Sequence, residues 1–531
     1  MRPKLNSSPS QNPHPVFGCR FFILLGIFAL SLANGSSGNA EDLVPTKPGT
    51  APNYWSTWAV QNSLAGIGSK SGDAKKMEGS DGSQQARTAM TETNVFGPDG
   101  WVTTFFPTIR SDLYVAYDDG LFRDGTGSFQ IDEKKFPFVA GLDADERMSK
   151  LNDRTRDAGW RGAALWCRAP ETNGEVARNF VLWSRHAGID YWKIDGGDDN
   201  LALVGIAKSL DPSLKLEHIQ GGGLFNENSR YGRVEPGSLE AQCLEHADVF
   251  RTGDASSVLS LPTTLDRITA ALKYGNEHTL HSLINCEDEV YLAATLGCTM
   301  GIRRHPLTNL PSATGSDDAL NSPRQCNHRL DEVVRALRWQ RIGHPFVRFT
   351  YDPHPEDATQ TDEKTLYDVW TFQTGEISEA DAIGKTVTQG APARVSRGLP
   401  LPEVTSDHDS PFVIAGRFPN SAVAVATQGR TFQGKNWIFP PADVSLDVGT
   451  SRGPFGIFGH YRSLTLRFLL PVGTVRILAQ DLAGGNATDI TSQVIIKDNT
   501  LTLPGALIDK VGLSAATPGD LSDPGMVLVI R

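Results

Sequence analysis

Acidic side chains lie at the ends of predicted strands, or within them, in four separate parts of the chain: Asp118-Asp119, Asp195, Glu217 and Asp254. Carboxylates that converge in an uncharged pocket repel one another, and this repulsion raises the pKa of one of them. The ionised group can then act as a nucleophile or base, while the protonated group acts as an acid. Cleavage of a glycosidic bond requires such a pair. The chemistry that these residues predict is nucleophilic and acid–base catalysis by two carboxylates.

Asp195 lies in residues 191–199, the stretch around which the chain is organised. Residues 191–194 are mostly aromatic or β-branched, which predicts a buried strand, and the two glycines at 196–197 end it. Strand alternation puts Lys193 and Asp195 on one face, so the lysine can keep the carboxylate ionised. Barrels of alternating strands and helices hold catalytic groups at such strand ends. We interpret Asp195 as a nucleophile, and the alternative is an aspartate that only caps a turn.

Asp254 follows Gly253 at the end of a strand predicted over residues 248–252. The glycine lets the backbone turn sharply and aim the carboxyl at the same mouth. The separation of Asp254 from Asp195 suits two βαβ steps of roughly 30 residues each. Taken alone, this segment is equally consistent with an Arg251–Asp254 ion pair across the turn.

The elements that must position these acids alternate along the first part of the chain. The predicted strands cover residues 53–60, 112–117, 162–167, 191–194, 215–219, 248–252, 279–284 and 298–302. The predicted helices cover residues 143–158, 174–187, 200–210, 263–274, 287–296 and 330–340, with a shorter one near 84–91.

Eight strands, most of them separated by helices, over roughly 300 residues predict an α/β fold, the (β/α)8 TIM barrel. In a closed barrel the carboxyl ends of all strands meet at one mouth, so the four acidic segments become neighbours. A doubly wound open sheet is the rival fold. It usually has fewer strands and a Gly-rich phosphate fingerprint after the first one, and this chain lacks that fingerprint.

The domain organisation follows from changes in composition. Residues 1–40 carry basic residues, then an uncharged apolar run over 21–33 and small residues up to Ala40, which predicts a signal peptide cleaved after residue 33 or 40. The apolar run is short for a membrane anchor. Residues 41–350 would form the barrel. Residues 351–531 lose helical periodicity and show short alternating runs, which predicts a C-terminal all-β, sandwich-like domain. The mature protein should be periplasmic or extracellular.

Charge and cysteine content exclude several classes of partner. A formal net charge of −11 and a pI near 5.6 argue against nucleic acid or an anionic membrane surface. The six cysteines match no zinc pattern. Because carboxylates and water suffice for the chemistry above, we expect no metal and no cofactor. The expected partner is a neutral oligosaccharide or polysaccharide, and the oligomeric state stays open.

Five short motifs stand in order along residues 50–350: Trp-Ser-Thr-Trp at 55–58, Tyr-Asp-Asp-Gly at 117–120, Lys-Phe-Pro at 135–137, Lys-Ile-Asp at 193–195 and Arg-Thr-Gly-Asp at 251–254. In this set and order the chain resembles the clan D glycoside hydrolases, the melibiase-type α-galactosidases of families twenty-seven and thirty-six. Leu121 stands where tryptophan is common in that group. Arg251 and Asp254 are one residue closer than is usual, which leaves the acid/base assignment open.

The resemblance implies a catalytic pair in which Asp195 is the nucleophile and Asp254 the acid/base. It also implies a set of residues that bind the sugar, with Trp58 as an apolar wall and Asp118, Asp119, Lys193 and Arg251 as polar contacts. Glu217 matches neither family, and we expect it beside the hydroxyl next to the reacting carbon.

The expected activity is retaining hydrolysis of terminal α-linked galactose-like sugars. Two alternatives remain at this stage. One is a related glycosidase or transglycosylase acting on N-acetylgalactosamine or L-arabinopyranose. The other is a catalytically inactive barrel that only binds sugar, which is less favoured because binding alone needs no second carboxylate near the first.

Overall fold

The computed structural model of the protein describes residues 41–65, 80–123, 129–168, 175–195, 200–219, 234, 236–252, 260–307, 328–347, 364–368, 386–388, 394–407, 410–433, 436–438 and 441–531. The predicted signal peptide over residues 1–40 lies outside these ranges, so cleavage and export stay predictions. Among the helices in these ranges, none combines the length and the apolar character needed to cross a bilayer.

Eight parallel strands close into a barrel, paired in chain order with β8 returning to β1. The strands are β1 (Asn53–Ser56), β2 (Leu113–Tyr117), β3 (Gly162–Cys167), β4 (Tyr191–Ile194), β5 (Lys215–Ile219), β6 (Val249–Arg251), β7 (Leu283–Glu287) and β8 (Thr299–Ile302). The predicted (β/α)8 barrel is confirmed.

Helices lie between and after these strands. They are α1 (Trp58–Ala65), α2 (Ser80–Thr88), α3 (Glu92–Phe96), α4 (Trp101–Thr104), α5 (Ala144–Asp157), α6 (Glu175–Ala187), α7 (Asn200–Leu210), α8 (Leu239–His246), α9 (Ser260–Glu277), α10 (Val290–Leu296) and α11 (Leu330–Gln340). Helix α8 precedes β6, and the sequence pattern did not predict it.

Two of the predicted strands, the first and the seventh, have wrong boundaries that affect the site. The first strand ends at Ser56, because the Ser56 hydroxyl binds the amide of Trp58 and helix α1 begins there. The seventh strand begins at Leu283, because the preceding amides of His281 and Ser282 bond to the carbonyl of Leu244 and to no neighbouring strand. Residue 287 therefore ends β7 and does not open a helix.

The described residues of the C-terminal region form three sheets. Eight strands pair in the order β21 (Thr488–Asp489), β20 (Ile477–Asp481), β24 (Gly525–Ile530), β18 (Phe455–Phe458), β14 (Val423–Gln428), β13 (Phe412–Arg417), β11 (Arg394–Arg397) and β9 (Thr365–Tyr367). Five pair in the order β12 (Glu403–Ser406), β17 (Ala442–Gly449), β19 (Ser463–Phe468), β23 (Thr500–Pro504) and β22 (Ile495–Lys497). The third sheet contains β10 (Thr386–Thr388), β15 (Thr431–Gln433) and β16 (Asn436–Ile438).

The two larger sheets bury a shared apolar core, as the all-β prediction requires. Every second residue of β17 and β19 is buried, which is the period of a strand with one face covered. Leu446 and Leu466 from the five-stranded sheet join Ile457 and Leu528 from the eight-stranded sheet in one cluster. One helix, α12 (Gly505–Gly512), was not foreseen in this region.

Helices α10 and α11 of the barrel pack on the eight-stranded sheet. The ring centroid of Trp339 lies 5.7 Å from that of Phe418 and 6.2 Å from that of Phe458. At Gly416 the sheet approaches α10 so closely that an added Cβ would meet the carbonyl oxygen of Thr295 at 2.0 Å. A continuous apolar core therefore joins the barrel to the C-terminal sheets.

Candidate active site

The barrel interior changes from apolar to charged along the strands. At the amino ends, tyrosines and small residues fill it: Tyr54, Tyr114, Tyr191, Ala116 and Ala164. Toward the carboxyl ends, the residues that alternate inward are Lys193 and Asp195 from β4, Glu217 from β5, Arg251 from β6 and Glu287 from β7. Four adjacent strands therefore supply one cluster, which we call the charged cluster, and Asp118 after β2 joins it.

Arg251 is the centre of this cluster. Its guanidinium lies 3.2 Å from a carboxylate oxygen of each of three acids, Asp195, Glu217 and Glu287. The arginine side chain is fully buried. A planar guanidinium with donors on several sides can hold three carboxylates in fixed positions, which a point charge could not.

Lys193 is the second buried cation. Its ammonium lies 3.0 Å from Oδ2 of Asp118 and 3.7 Å from Oε1 of Glu287. From the alternation along β4 we expected Lys193 to act on Asp195. The guanidinium of Arg251, from β6, is the cation whose contact with Asp195 the structure shows.

Asp195 is the exposed carboxylate of the cluster. Its side chain is 37% exposed, whereas those of Glu217 and Glu287 are 0% exposed. The indole N–H of Trp166 donates to Oδ2 at 3.1 Å and Arg251 donates to Oδ1 at 3.2 Å. Because each oxygen has its own donor, the plane of the carboxylate is fixed while one side faces solvent.

Two tyrosines form the floor under the acids. Tyr54 donates to Glu217 at 3.0 Å and to Glu287 at 3.1 Å, and Tyr191 donates to Glu217 at 2.6 Å. Burial raises the pKa of Glu217, while the charge of Arg251 and the tyrosine hydrogen bonds oppose that rise. Gly301 on β8 leaves the room for this packing, since an added Cβ would meet the Tyr54 hydroxyl at 2.5 Å and Glu287 Cγ at 2.9 Å.

The two acids after β2, Asp118 and Asp119, have different partners and different roles. Asp118 is buried, and its Oδ2 accepts hydrogen bonds from the Ser56 hydroxyl and from Lys193, both at 3.0 Å. Asp119 pairs with Arg87 of helix α2, with Oδ2 2.6 Å from the guanidinium. Asp118 therefore belongs to the charged cluster, and Asp119 ties α2 to the barrel mouth.

The remaining predicted site residues are placed as follows. Trp58 is half-buried at the start of α1, directly after β1. Glu217 lies beneath Asp195, and its recorded partners are Arg251 and the two floor tyrosines. Asp254 lies outside the described residues, three positions beyond the end of β6, so its role as acid/base stays a prediction.

Three residues of the site escaped the sequence analysis: Trp166, Glu287 and Tyr54. Glu287 was missed because the seventh strand was placed four residues too early, so an inward acid became a helix residue. Trp166 stood on a correctly predicted strand, and its alternation with Ala164 was the available signal. Within the described ranges, no three His, Cys, Asp or Glu side chains are grouped so that they could hold a metal ion.

Comparison with known proteins returned weak structural likenesses only. No family model and no curated protein matches the chain. Among solved structures, the catalytic domain of GH30 xylanase C from Talaromyces cellulolyticus has a TM-score of 0.29 and 9% identity, over 92% of this chain and 99% of that one. A candidate alpha-galactosidase from Bacteroides fragilis has a TM-score of 0.27 and 11% identity, over 68% and 70%.

A glucosidase from Croceicoccus marinus is similar at the same level, with a TM-score of 0.27 and 10% identity over 81% of this chain and 87% of that one. TM-scores of this size establish neither a shared fold nor a shared activity. The chemistry of the site therefore rests on its own side chains.

Proposed function

We propose that the protein is an exported, retaining glycoside hydrolase that removes terminal α-linked galactose-like residues from oligosaccharides or polysaccharides. The observation that carries this proposal is the environment of Asp195. It is the carboxylate of the charged cluster that solvent reaches, and two donors, Trp166 from β3 and Arg251 from β6, orient it. An oriented and accessible carboxylate at a barrel mouth has the properties of a nucleophile.

In the first step, an oxygen of Asp195 attacks the anomeric carbon as the bond to the departing oxygen breaks. Asp254 gives its proton to that oxygen, and a covalent glycosyl-enzyme forms. In the second step, Asp254 removes a proton from water. The water then attacks the anomeric carbon and releases Asp195 as a carboxylate.

The end of β6 supports Asp254 as the second carboxylate. This strand ends at Arg251, whose guanidinium contacts Asp195, and Asp254 follows three residues later. Retention requires the two carboxyl groups to lie about 5–5.5 Å apart, whereas inversion needs about 6.5–9.5 Å. The proposal therefore requires Asp254 to lie about 5–5.5 Å from Asp195 when the sugar is bound.

The buried residues of the charged cluster position its exposed carboxylate, Asp195. Glu217 and Glu287 hold Arg251 from below, and Tyr54 holds both of them. Fixed charges in a site closed to water act more strongly than charges in solution and need no rearrangement during the reaction. We therefore propose that Glu217 orients Arg251, and that Asp118 and Lys193 provide the polar groups nearest to sugar hydroxyls.

The test is turnover of nitrophenyl α-galactoside by the protein without residues 1–40, with the anomeric form of the first product followed by NMR. We expect an α-configured product and, from Asp195→Asn, a loss of turnover of at least about a thousandfold at unchanged melting temperature. A panel of nitrophenyl glycosides that includes N-acetyl-α-galactosaminide and β-L-arabinopyranoside identifies the sugar.

Two results would contradict the proposal. If no glycoside of the panel is turned over but galactose binds, the protein is a sugar-binding barrel. If Asp195→Asn retains near-normal rates, the nucleophile is another residue.

A further inference from the structure

The turn after Glu287 has an unusual backbone. Asp288 adopts φ 51°, the left-handed region that residues with a side chain rarely occupy. Its amide donates to the carbonyl of Gly301 at 2.9 Å. Since Asp288 is bonded directly to Glu287, the last residue of β7, this conformation sets the direction in which the backbone leaves the strand after Glu287. Such a conformation persists where the surrounding contacts hold it.

The contacts that hold the turn come from the segment after β8. Asp288 Oδ1 accepts hydrogen bonds from the backbone amides of Arg303 and Arg304, at 2.9 and 3.3 Å. The guanidinium of Arg304 donates to the carbonyl oxygen of Asp288 at 2.6 Å. Both side chains are 1% exposed. Arg304 therefore contacts the left-handed residue through its side chain and its backbone.

Arg304 is held in turn by charges on and beside helix α11. Its guanidinium lies 2.6 Å from Oε2 of Glu332, and Oε1 of Glu332 lies 3.1 Å from Arg329. Burial acts to raise the pKa of Glu332, but the charges of Arg304 and Arg329 outweigh it and the pKa lies below its usual value. The carboxylate is therefore ionised at neutral pH, and it joins the two arginines.

The same chain of charges continues into the C-terminal sheets. Arg329 lies 3.0 Å from Oδ1 of Asp523, which stands two residues before β24, and the amide of Asp523 donates to Glu332 at 3.1 Å. His460, after β18, lies 3.4 Å from Asp523 and 3.0 Å from Asp509. Burial lowers the pKa of His460, yet its hydrogen bonds to these two acids raise it to about 10, so it is protonated at neutral pH.

We infer that the C-terminal sheet region is a positioning element for the barrel site. The chain Asp523–Arg329–Glu332–Arg304 holds Asp288 in its left-handed conformation and thereby fixes Glu287 against Lys193 and Arg251. In this role Arg304 and Glu332 are positioning residues, since they act on Asp195 through Glu287 and Arg251. The catalytic consequence rests on the proposed function, but the conformational one does not.

The matched experiment compares Glu332→Gln with Asp481→Asn in the protein without residues 1–40. Asp481 pairs with Arg335 of the same helix, α11, at 2.9 Å, and both side chains are 0% exposed. Both variants remove one buried charge at the contact between helix and sheets. Of the two acids, Glu332 is the one bonded to the arginine that holds Asp288, whereas Arg335, the partner of Asp481, reaches the chain of charges only at its far end, where it donates to the carbonyl oxygen of Asp523 at 3.2 Å.

We expect hydrogen–deuterium exchange in residues 283–302 to rise by about tenfold in Glu332→Gln, which corresponds to the loss of one hydrogen bond between charged groups. Asp481→Asn should leave exchange in that segment unchanged. Its melting temperature should fall by about as much as that of Glu332→Gln. With nitrophenyl α-galactoside, kcat should fall about tenfold in Glu332→Gln alone, with KM within about twofold.

Equal exchange of residues 283–302 in the two variants would overturn the inference. A wild type without glycosidase activity would overturn the proposed function, and the exchange comparison would still decide the conformational role. Should Glu332→Gln fail to fold, Arg329→Lys breaks the two-sided contact with Glu332 and Asp523 at a partly exposed position. It is expected to give the same local rise in exchange.

Discussion

The barrel interior and the core between the C-terminal sheets bury opposite kinds of side chain. The barrel buries the charged cluster, with Arg251, Glu217 and Glu287 at 0% side-chain exposure. The core between the two large sheets contains apolar residues such as Leu446 and Leu466. Ion pairs on the five-stranded sheet lie at the surface, as in Arg467, which is 29% exposed and pairs with Asp447 and Glu403.

Because of this difference, the barrel interior carries a desolvation cost that the core between the sheets does not carry. Buried charges lose their hydration, and their pairing compensates for it only when every partner is in place. An apolar core does not depend on every partner being in place. It stabilises the fold in proportion to the apolar area that it buries. Inside the barrel the buried charges surround the candidate site, whereas the apolar core between the two sheets supports the fold.

The largest expected effect is the loss of stability on removing a buried arginine, compared with removing an arginine at the surface. Arg251→Met should lower the free energy of unfolding by about 3–5 kcal/mol, because it leaves Asp195, Glu217 and Glu287 close together without their shared cation. Arg467→Met, a change of the same kind on the sheet surface, should cost about 0–1 kcal/mol. Denaturation with urea measures both, and similar costs would refute the contrast.

The second prediction concerns the apolar support. Leu466→Ala should lower the free energy of unfolding by about 2–5 kcal/mol through lost burial and a cavity, with kcat of the folded protein unchanged. Thr465→Ala is the control on the opposite face of β19, where the Thr465 hydroxyl meets that of Thr502 at 2.9 Å. It should cost less than about 1 kcal/mol. A large fall in kcat from Leu466→Ala would show that this core also shapes the site.

The third prediction addresses the donor from β3. Trp166→Phe removes the N–H that reaches Asp195 Oδ2. The carboxylate then loses one of the two donors that orient it, so kcat should fall about tenfold. Trp192→Phe is the control, because that indole donates to Ser184 behind the barrel wall. A fall in kcat of the same size in both variants would exclude a specific role for Trp166.

The smallest expected effect is a pH dependence of stability outside the barrel. The pKa of His460 is raised to about 10 by its bonds to Asp509 and Asp523, against the opposing effect of burial. A raised pKa means that the stabilisation is complete below the usual value near 6.5 and is lost as the pH rises toward 10. The wild type should therefore lose about 2 °C more than His460→Gln between pH 7 and pH 10. Parallel melting curves would exclude this contribution.

Much of the fold was readable from the sequence. The strands ending at Cys167, Ile194 and Ile219 and the helix Leu330–Gln340 were predicted with the bounds that the structure has. The seventh strand was misplaced, because polar residues after α9 looked compatible with a strand and only their bonds to Leu244 show otherwise. Hydrophobic periodicity and turn residues are local signals in the sequence. Where a strand begins or ends depends on which of its residues hydrogen-bond to a neighbouring strand.

The same division applies to the site. The sequence by itself determined that Lys193 and Asp195 share a face, because the two-residue period of a strand is set by the backbone alone. Only the tertiary structure decided that Arg251 from β6 contacts Asp195, that Tyr54 from β1 binds Glu217 and Glu287, and that Arg304 holds the turn at Asp288. These contacts join strands far apart in the chain, and their register depends on how the barrel closes, which no local pattern encodes.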